Sequence, residues 1–254
     1  QMHGKTFGRM IICADSKPYW RTRIQPSYKM NRLAARAKST INSEAFYKDM
    51  TELKKDILKH TDYMLIDTEG AEADDTIAVL TEYANAKDEP VLIISSDKDM
   101  LQLQLRNEKT YQFSPNRNKL LTLANTEYDL LSHVLKGDTS DGIPNVFSPD
   151  DHFMIEGDKP RQKSVTKKLI TTVKEFFPDN LEDCELLDEE AIKRFHQNQE
   201  LIDTTYTPKD LADTIVKLFE EYSDKHRPHN IEALLSPFEA EEDIVKQPKE
   251  SVRL

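Results

Sequence analysis

Val91-Leu92-Ile93-Ile94-Ser95-Ser96-Asp97-Lys98-Asp99 decides the fold. Four consecutive aliphatic residues, too few for a helix and followed by serines, read as a strand buried on both faces, as in a parallel sheet covered by helices. The strand runs directly into two carboxylates at i, i+2 spacing. In open α/β sheets the carboxyl ends of the strands face the ligand crevice, which places Asp97 and Asp99 there.

On the N-terminal side the pattern alternates. Residues 71–86 read as a helix opened by Glu72-Ala73-Asp74-Asp75, and 62–67 as a strand (Tyr63-Met64-Leu65-Ile66). Residues 43–61 form an amphipathic helix with Phe46, Met50, Leu53 and Ile57 on one face, and 9–14 a strand ending at Asp15. On the C-terminal side, 111–123 hold shorter strands. Residues 126–136 form a helix leading into Gly137-Asp138-Thr139-Ser140-Asp141-Gly142. Beyond Pro144 only helices are predicted, at 164–177, 188–200 and 208–222, the last with Thr207 as N-cap. Residues 143–160 read as an irregular loop. The fold class is α/β, a mainly parallel central sheet flanked by helices, with a helical C-terminal part.

Each acidic cluster follows a strand or flanks a helix. Glu72 and Asp75 share a helix face at i, i+3, and Asp74 lies beside them in the first turn, where the helix dipole favours negative charge. Taken singly, such motifs are caps and turns: Asp97 caps a helix at 98–103, and Asp138 to Asp141 is a turn. In this order and spacing, the four together point to carboxylates converging on metal. Hard oxygen donors, with no His or Cys nearby, select magnesium or manganese over zinc. Two such ions about 3.5 to 4 Å apart stabilise the attacking and leaving oxygens of phosphodiester hydrolysis.

Composition bounds the setting. The 254 residues are 32% charged and carry a net charge of −11. No apolar run approaches the ~20 residues of a membrane helix, and no secretory signal opens the chain. The two cysteines, Cys13 and Cys184, read as reduced intracellular thiols, which predicts a cytoplasmic protein. The net charge conceals an asymmetry: residues 16–43 contain no acid and seven positive charges, Lys17, Arg21, Arg23, Lys29, Arg32, Arg36 and Lys38. Tyr19, Trp20 and Tyr28 are interleaved with them. A second basic stretch holds Lys159, Arg161, Lys163, Lys167 and Lys168. Such patches bind phosphate backbones whatever the net charge, and their aromatic residues either stack on bases or pack inside the protein.

Cys13-Ala14-Asp15 with Tyr19-Trp20-Arg21, Glu72-Ala73-Asp74-Asp75, Ser96-Asp97-Lys98-Asp99, Gly137-Asp138-Thr139-Ser140-Asp141 and Leu201-Ile202-Asp203 resemble the structure-specific 5′ nuclease (flap endonuclease) superfamily, most nearly the RNase H of tailed phages. The resemblance runs from about residue 5 to 222. It implies two magnesium or manganese ions: Asp15, Glu72, Asp74 and Asp97 at the first, with Asp99 at its border and Asp75 among the catalytic carboxylates, and Asp138 and Asp141 at the second. It implies a monomeric 5′ to 3′ exonuclease and flap endonuclease acting on DNA and on RNA–DNA duplexes with a 5′ end or flap, in the host cytoplasm for a phage enzyme. Single-strand-binding protein and a sliding clamp are implied as partners.

The domains then read as a catalytic part at 1–142, including an arch at 16–43, a duplex-binding helical part at 143–227 and a polar tail at 228–254. Tyr19, Trp20, Arg21, Arg23, Lys29, Arg32, Arg36 and Lys38 belong to the arch, and Lys163, Lys167 and Lys168 to the duplex grip. The family also has an earlier strand ending in a further metal-binding aspartate. No acidic residue precedes Asp15 here, so this sequence is expected to be a fragment of a longer protein. A PIN-type endoribonuclease and a non-catalytic nucleic-acid-binding module are the alternatives. The former would be shorter and lack the arch, and the latter requires an incomplete metal site.

Overall fold

The computed structural model describes residues 7–32, 42–124, 129–155 and 161–223. β1 (Ile11–Ala14) and β2 (Met64–Asp67) pair in parallel, with Ile11 opposite Met64. β3 (Val91–Ile94) pairs in parallel with β4 (Thr110–Ser114), which turns back antiparallel into β5 (Lys119–Leu121). Parallel neighbours need a crossover, and α1 (Ser43–His60) lies between β1 and β2. α2 (Ala73–Asn85) joins β2 to β3.

The single central sheet expected from the sequence is, among the described residues, two sheets: β1-β2 and β3-β4-β5. α2 packs against both β1 and β3 and ties them together. Among the described residues β1 and β3 each have a strand neighbour on one side only, and neither is fully buried: every residue of β1 is partly exposed, and Ile94 of β3 is 55% exposed. The apolar stripe of α1 is likewise covered only toward its end. Leu53 and Ile57 are half-buried, whereas Phe46 and Met50 stand in solvent.

The helical part consists of α3 (Leu130–Lys136), α4 (Lys167–Phe176), α5 (Glu189–Ile202) and α6 (Lys209–Ser223). Asp129, Thr166 and Asp188 cap the first three through side-chain acceptors, satisfying backbone N–H groups that have no partner within the helix. Thr207, expected to cap α6, instead donates its hydroxyl to Asp75 Oδ1 at 3.2 Å and to the Thr204 carbonyl. One core joins Leu131, Val134 and Leu135 of α3 to Val173, Phe195 and Leu201, and it includes Tyr28 from the basic segment. Ile215 of α6 packs back on Ile66, Val79 and Leu80. Packing therefore runs unbroken across residues 142 and 143. The segment read as a loop after Gly142 is irregular but buried at Ile143, Asn145, Val146 and Ser148. The polar tail lies outside the described residues.

Candidate active site

The acidic clusters converge because strand ends and helix starts meet on one side of the fold. Asp15 directly follows β1, and its Oδ1 accepts from the Ala73 N–H at 2.8 Å, at the first turn of α2. Asp74 lies one residue further along α2. Asp97 follows β3 and caps the 3-10 segment Lys98–Leu105, with its Oδ1 accepting from the Asp99 N–H at 3.0 Å. Asp97 thus both caps this segment and lines the cleft described below. Asp138 accepts from the Ser140 N–H at 2.7 Å, closing the turn that presents Asp141.

Gly137 makes that turn possible. Its φ is +67°, and a Cβ there would lie 2.3 Å from the carbonyl oxygens of Ile143 and Pro144. The result is a cleft of about 200 Å³ whose lining includes seven carboxylates, Asp15, Glu72, Asp74, Asp97, Asp99, Asp138 and Asp141, beside the cations Lys29 and Arg32.

Crowding governs the electrostatics. Burial, then the charges of Asp97 and Glu72, push the Asp74 carboxyl up to about 7. Burial also raises Asp99 to about 6, with Asp97, Asp138 and Asp141 adding to it against His133. Asp138 goes the other way: burial opposes ionisation, but hydrogen bonds from His133 and Ser140 hold its carboxyl below the usual range. Lys29 brings positive charge into this field, pairing with Glu72 and lying 3.4 Å from Asp141, and Arg32 pairs with Asp141.

Not every residue expected at the site reaches it. Asp75 is fully buried on the far side of the α2 first turn and accepts from Arg21 Nη1 and Nη2 at 2.9 and 2.8 Å, from Trp20 Nε1 at 3.1 Å and from the Glu72 N–H at 2.9 Å. Asp75 is therefore a brace rather than a cleft carboxylate. Arg21, 3% exposed, also donates to Glu72 and to the Leu201 carbonyl at the end of α5, and Trp20 is 6% exposed. Neither Arg21 nor Trp20 is open to nucleic acid.

Tyr28 is buried too, donating to Glu72 Oε2 at 2.7 Å and to Asp141 Oδ2 at 3.0 Å, so it packs rather than stacks on bases. Tyr19 is half-buried at the cleft edge, its hydroxyl toward Asp15 at 3.4 Å. Arg23 is exposed, as are Lys163, Lys167 and Lys168 near the start of α4, and Arg36 and Lys38 lie outside the described residues.

Sequence reasoning missed His133, having read the clusters as free of histidine. In the last turn of α3, His133 Nδ1 lies 3.4 Å from Asp99 Oδ1, and Nε2 lies 3.5 Å from Asp138 Oδ2. Burial works against its charge, but Asp138 and Asp99 raise its pKa above the ordinary histidine value. The available signal was its place on the helix that delivers Gly137-Asp138.

Residues 2–129 match the model of the 5′-3′ exonuclease N-terminal resolvase-like domain, and residues 124–236 that of the T4 RNase H C-terminal region. Over 227 residues the chain is 30% identical to ribonuclease H of Enterobacteria phage T4, covering 86% of this chain and 72% of that protein. It is 34% identical over 147 residues to the 5′-3′ exonuclease of Buchnera aphidicola subsp. Schizaphis graminum, covering 54% of this chain and 47% of the relative.

In fold it is similar to a bacteriophage T5 protein co-crystallised with metal ions, at a TM-score of 0.63 and 20% identity over 88% of this chain and 90% of that one. It is equally similar to the T5 flap endonuclease in a pseudo-enzyme–product complex with DNA and metal ions, at a TM-score of 0.63 and 21% identity over 89% of this chain and 88% of that one. With its N-terminal match to the resolvase-like domain and its C-terminal match to phage T4 RNase H, the chain belongs to the 5′-3′ exonuclease family and is a hydrolytic nuclease.

Proposed function

We propose that this nuclease is a divalent-metal-dependent 5′ to 3′ exonuclease and flap endonuclease, hydrolysing RNA primers and DNA at the 5′ ends of duplexes during replication. The observation that carries this reading is the cleft in which seven carboxylates face one another with Lys29 and Arg32 beside them. The donor set fits hard divalent cations. The acids are oxygen ligands, and burial together with neighbouring carboxylates disfavours the charge of Asp74 and Asp99, which a bound cation would offset. Asp15, Asp74 and Asp97, with Glu72, would hold one magnesium or manganese ion. Asp138 and Asp141 would hold a second, with Asp99 between the two groups. Bound there, the metal supplies Lewis-acid stabilisation of the attacking and leaving oxygens.

The protein's own groups do the remaining work. Lys29 and Arg32 bring positive charge to the phosphodiester being cut, and Arg21 and Tyr28 hold Glu72 in place by hydrogen bonds. The exposed Lys163, Lys167 and Lys168 grip the duplex backbone away from the reacting phosphate. Arg23, with Arg36 and Lys38 of the arch, contacts the single-stranded 5′ end. The same reading extends to a monomer working in the cytoplasm with single-strand-binding protein and a sliding clamp. No described helix is long and apolar enough to cross a membrane.

The test is a 5′-labelled RNA primer annealed to a DNA template, incubated with magnesium or with EDTA, beside an Asp97→Asn, Asp138→Asn double variant. Magnesium-dependent release of short 5′ products by the parent alone is the expected outcome. Binding without cleavage under every metal condition would leave only a nucleic-acid-binding module.

A further inference from the structure

A nitrogen donor adjoins the carboxylate cleft. His133 lines a smaller recess, of about 30 Å³, together with Glu72, Asp74, Asp99, Asp138 and Asp141, all five of which also line the main cleft. Its ring stands between two strand-and-turn systems: Asp99 just beyond β3 on one side, and Asp138 in the turn after α3 on the other. Asp99, His133 and Asp138 each offer a donor atom, and these atoms all lie within 4.8 Å of one another.

Nδ1 stands 3.4 Å from Asp99 Oδ1 and Nε2 stands 3.5 Å from Asp138 Oδ2, so the ring bridges the two carboxylates. Two atoms that ligate one ion at about 2.1 Å each sit about 3 to 4 Å apart, the separation of His133 Nε2 from Asp138 Oδ2.

Resting on the metal-dependent reading above, we propose that His133 is a nitrogen ligand of the second ion. It binds through Nε2 beside Asp138, with Nδ1–H held by Asp99, and it biases that site toward manganese, cobalt or zinc over magnesium. The chemistry follows from donor type. Magnesium keeps to oxygen ligands and retains its waters, whereas imidazole suits the first-row transition divalents. A ligating histidine generally donates its second ring N–H to a carboxylate, and Asp99 stands where that partner is needed. Each site thereby acquires its own preference: oxygen donors alone around Asp15, Asp74 and Asp97, and a mixed set around Asp138.

The experiment is pulsed EPR on the 254-residue chain loaded with Mn2+, paired with calorimetric titrations of Mn2+ and Mg2+ into the parent and His133→Gln. Expected are nitrogen modulations in the parent that His133→Gln abolishes, and a Mn2+ affinity about tenfold weaker in the variant while Mg2+ affinity changes less than about twofold. An equal loss for both ions would make His133 a residue that merely positions Asp99 and Asp138, and would overturn its role as a ligand. Mn2+ bound without nitrogen coupling in the parent would also overturn it, leaving the metal-dependent nuclease reading intact. Failure of the parent to bind any Mn2+ would overturn both. Should His133→Gln not fold, as judged by circular dichroism, the parent grown with 15N-histidine replaces it. A change of the modulation to that of 15N then supports the ligand, and an unchanged pattern refutes it.

Discussion

Replacing Arg21 by Met tests whether this arginine is a brace or a nucleic-acid contact. Its guanidinium makes a bidentate pair with Asp75, reaches Glu72 at 2.9 Å and donates Nε–H to the Leu201 carbonyl at 2.8 Å. Its side chain is 4% exposed, that of Asp75 0% and that of Glu72 4%. The pair therefore bolts the turn at Trp20–Arg23, the first turn of α2 and the end of α5 together, in a place where water cannot substitute. Removing one partner leaves a buried carboxylate uncompensated, a change that costs about 3–5 kcal/mol.

At roughly 2–4 °C per kcal/mol for a protein of this size, the melting temperature should fall by about 6–20 °C. Thermal and urea unfolding followed by circular dichroism measure it, with exposed Arg23→Ala as the control, expected to shift stability by less than about 0.5 kcal/mol. Asp75→Asn should also destabilise, and the double variant should be less destabilised than the two single changes summed, with a coupling of about 2 kcal/mol. Arg21→Met melting with the parent while losing affinity for a 5′ single-stranded overhang would refute the brace. So would Asp75→Asn abolishing cleavage without loss of stability.

The metal-free protein should lose stability as pH rises from about 4 to about 7. Asp74 and Asp99 have folded pKa values above 3.8, so the folded state binds more protons than the unfolded one across that window. The raised His133 acts in the same direction at the upper end of that range. Saturating Mg2+ should flatten the slope, and urea titrations at several pH values with EDTA or Mg2+ measure both effects. Changing Lys163, Lys167 and Lys168 together to Ala should weaken duplex binding regardless of sequence. It should reduce the slope of log affinity against log salt by up to about 0.9 for each phosphate that the variant no longer neutralises, leaving cleavage of bound substrate near parental. Gly137→Ala should destabilise the protein by more than about 1 kcal/mol and sharply reduce activity, because its Cβ would strike two carbonyl oxygens and displace Asp138. An Ala variant with parental melting and cleavage would show that the turn tolerates another backbone path.

The order of elements was legible without coordinates, because it depends on local patterns. Val91–Ile94 is a strand by composition, the spacing of Phe46, Met50, Leu53 and Ile57 marks a helix, and carboxylates placed just past strand ends must meet at one edge of such a fold. Asp15, Asp97 and Asp99 reach the cleft by that placement alone.

What the sequence could not separate were neighbours on a single turn. Asp74 and Asp75 differ by one residue and therefore point about 100° apart around α2. Only the position of Arg21 and Trp20 behind the helix decides that Asp74 faces the cleft while Asp75 is sealed inside. The same long-range packing buried the aromatics of the basic segment, which composition leaves free to stack on bases. It also brought His133 between Asp99 and Asp138, and among the described residues the strands lie in two sheets. Periodicity and capping are written in a few consecutive residues, whereas burial and convergence depend on segments distant in sequence, and only the folded chain brings those together.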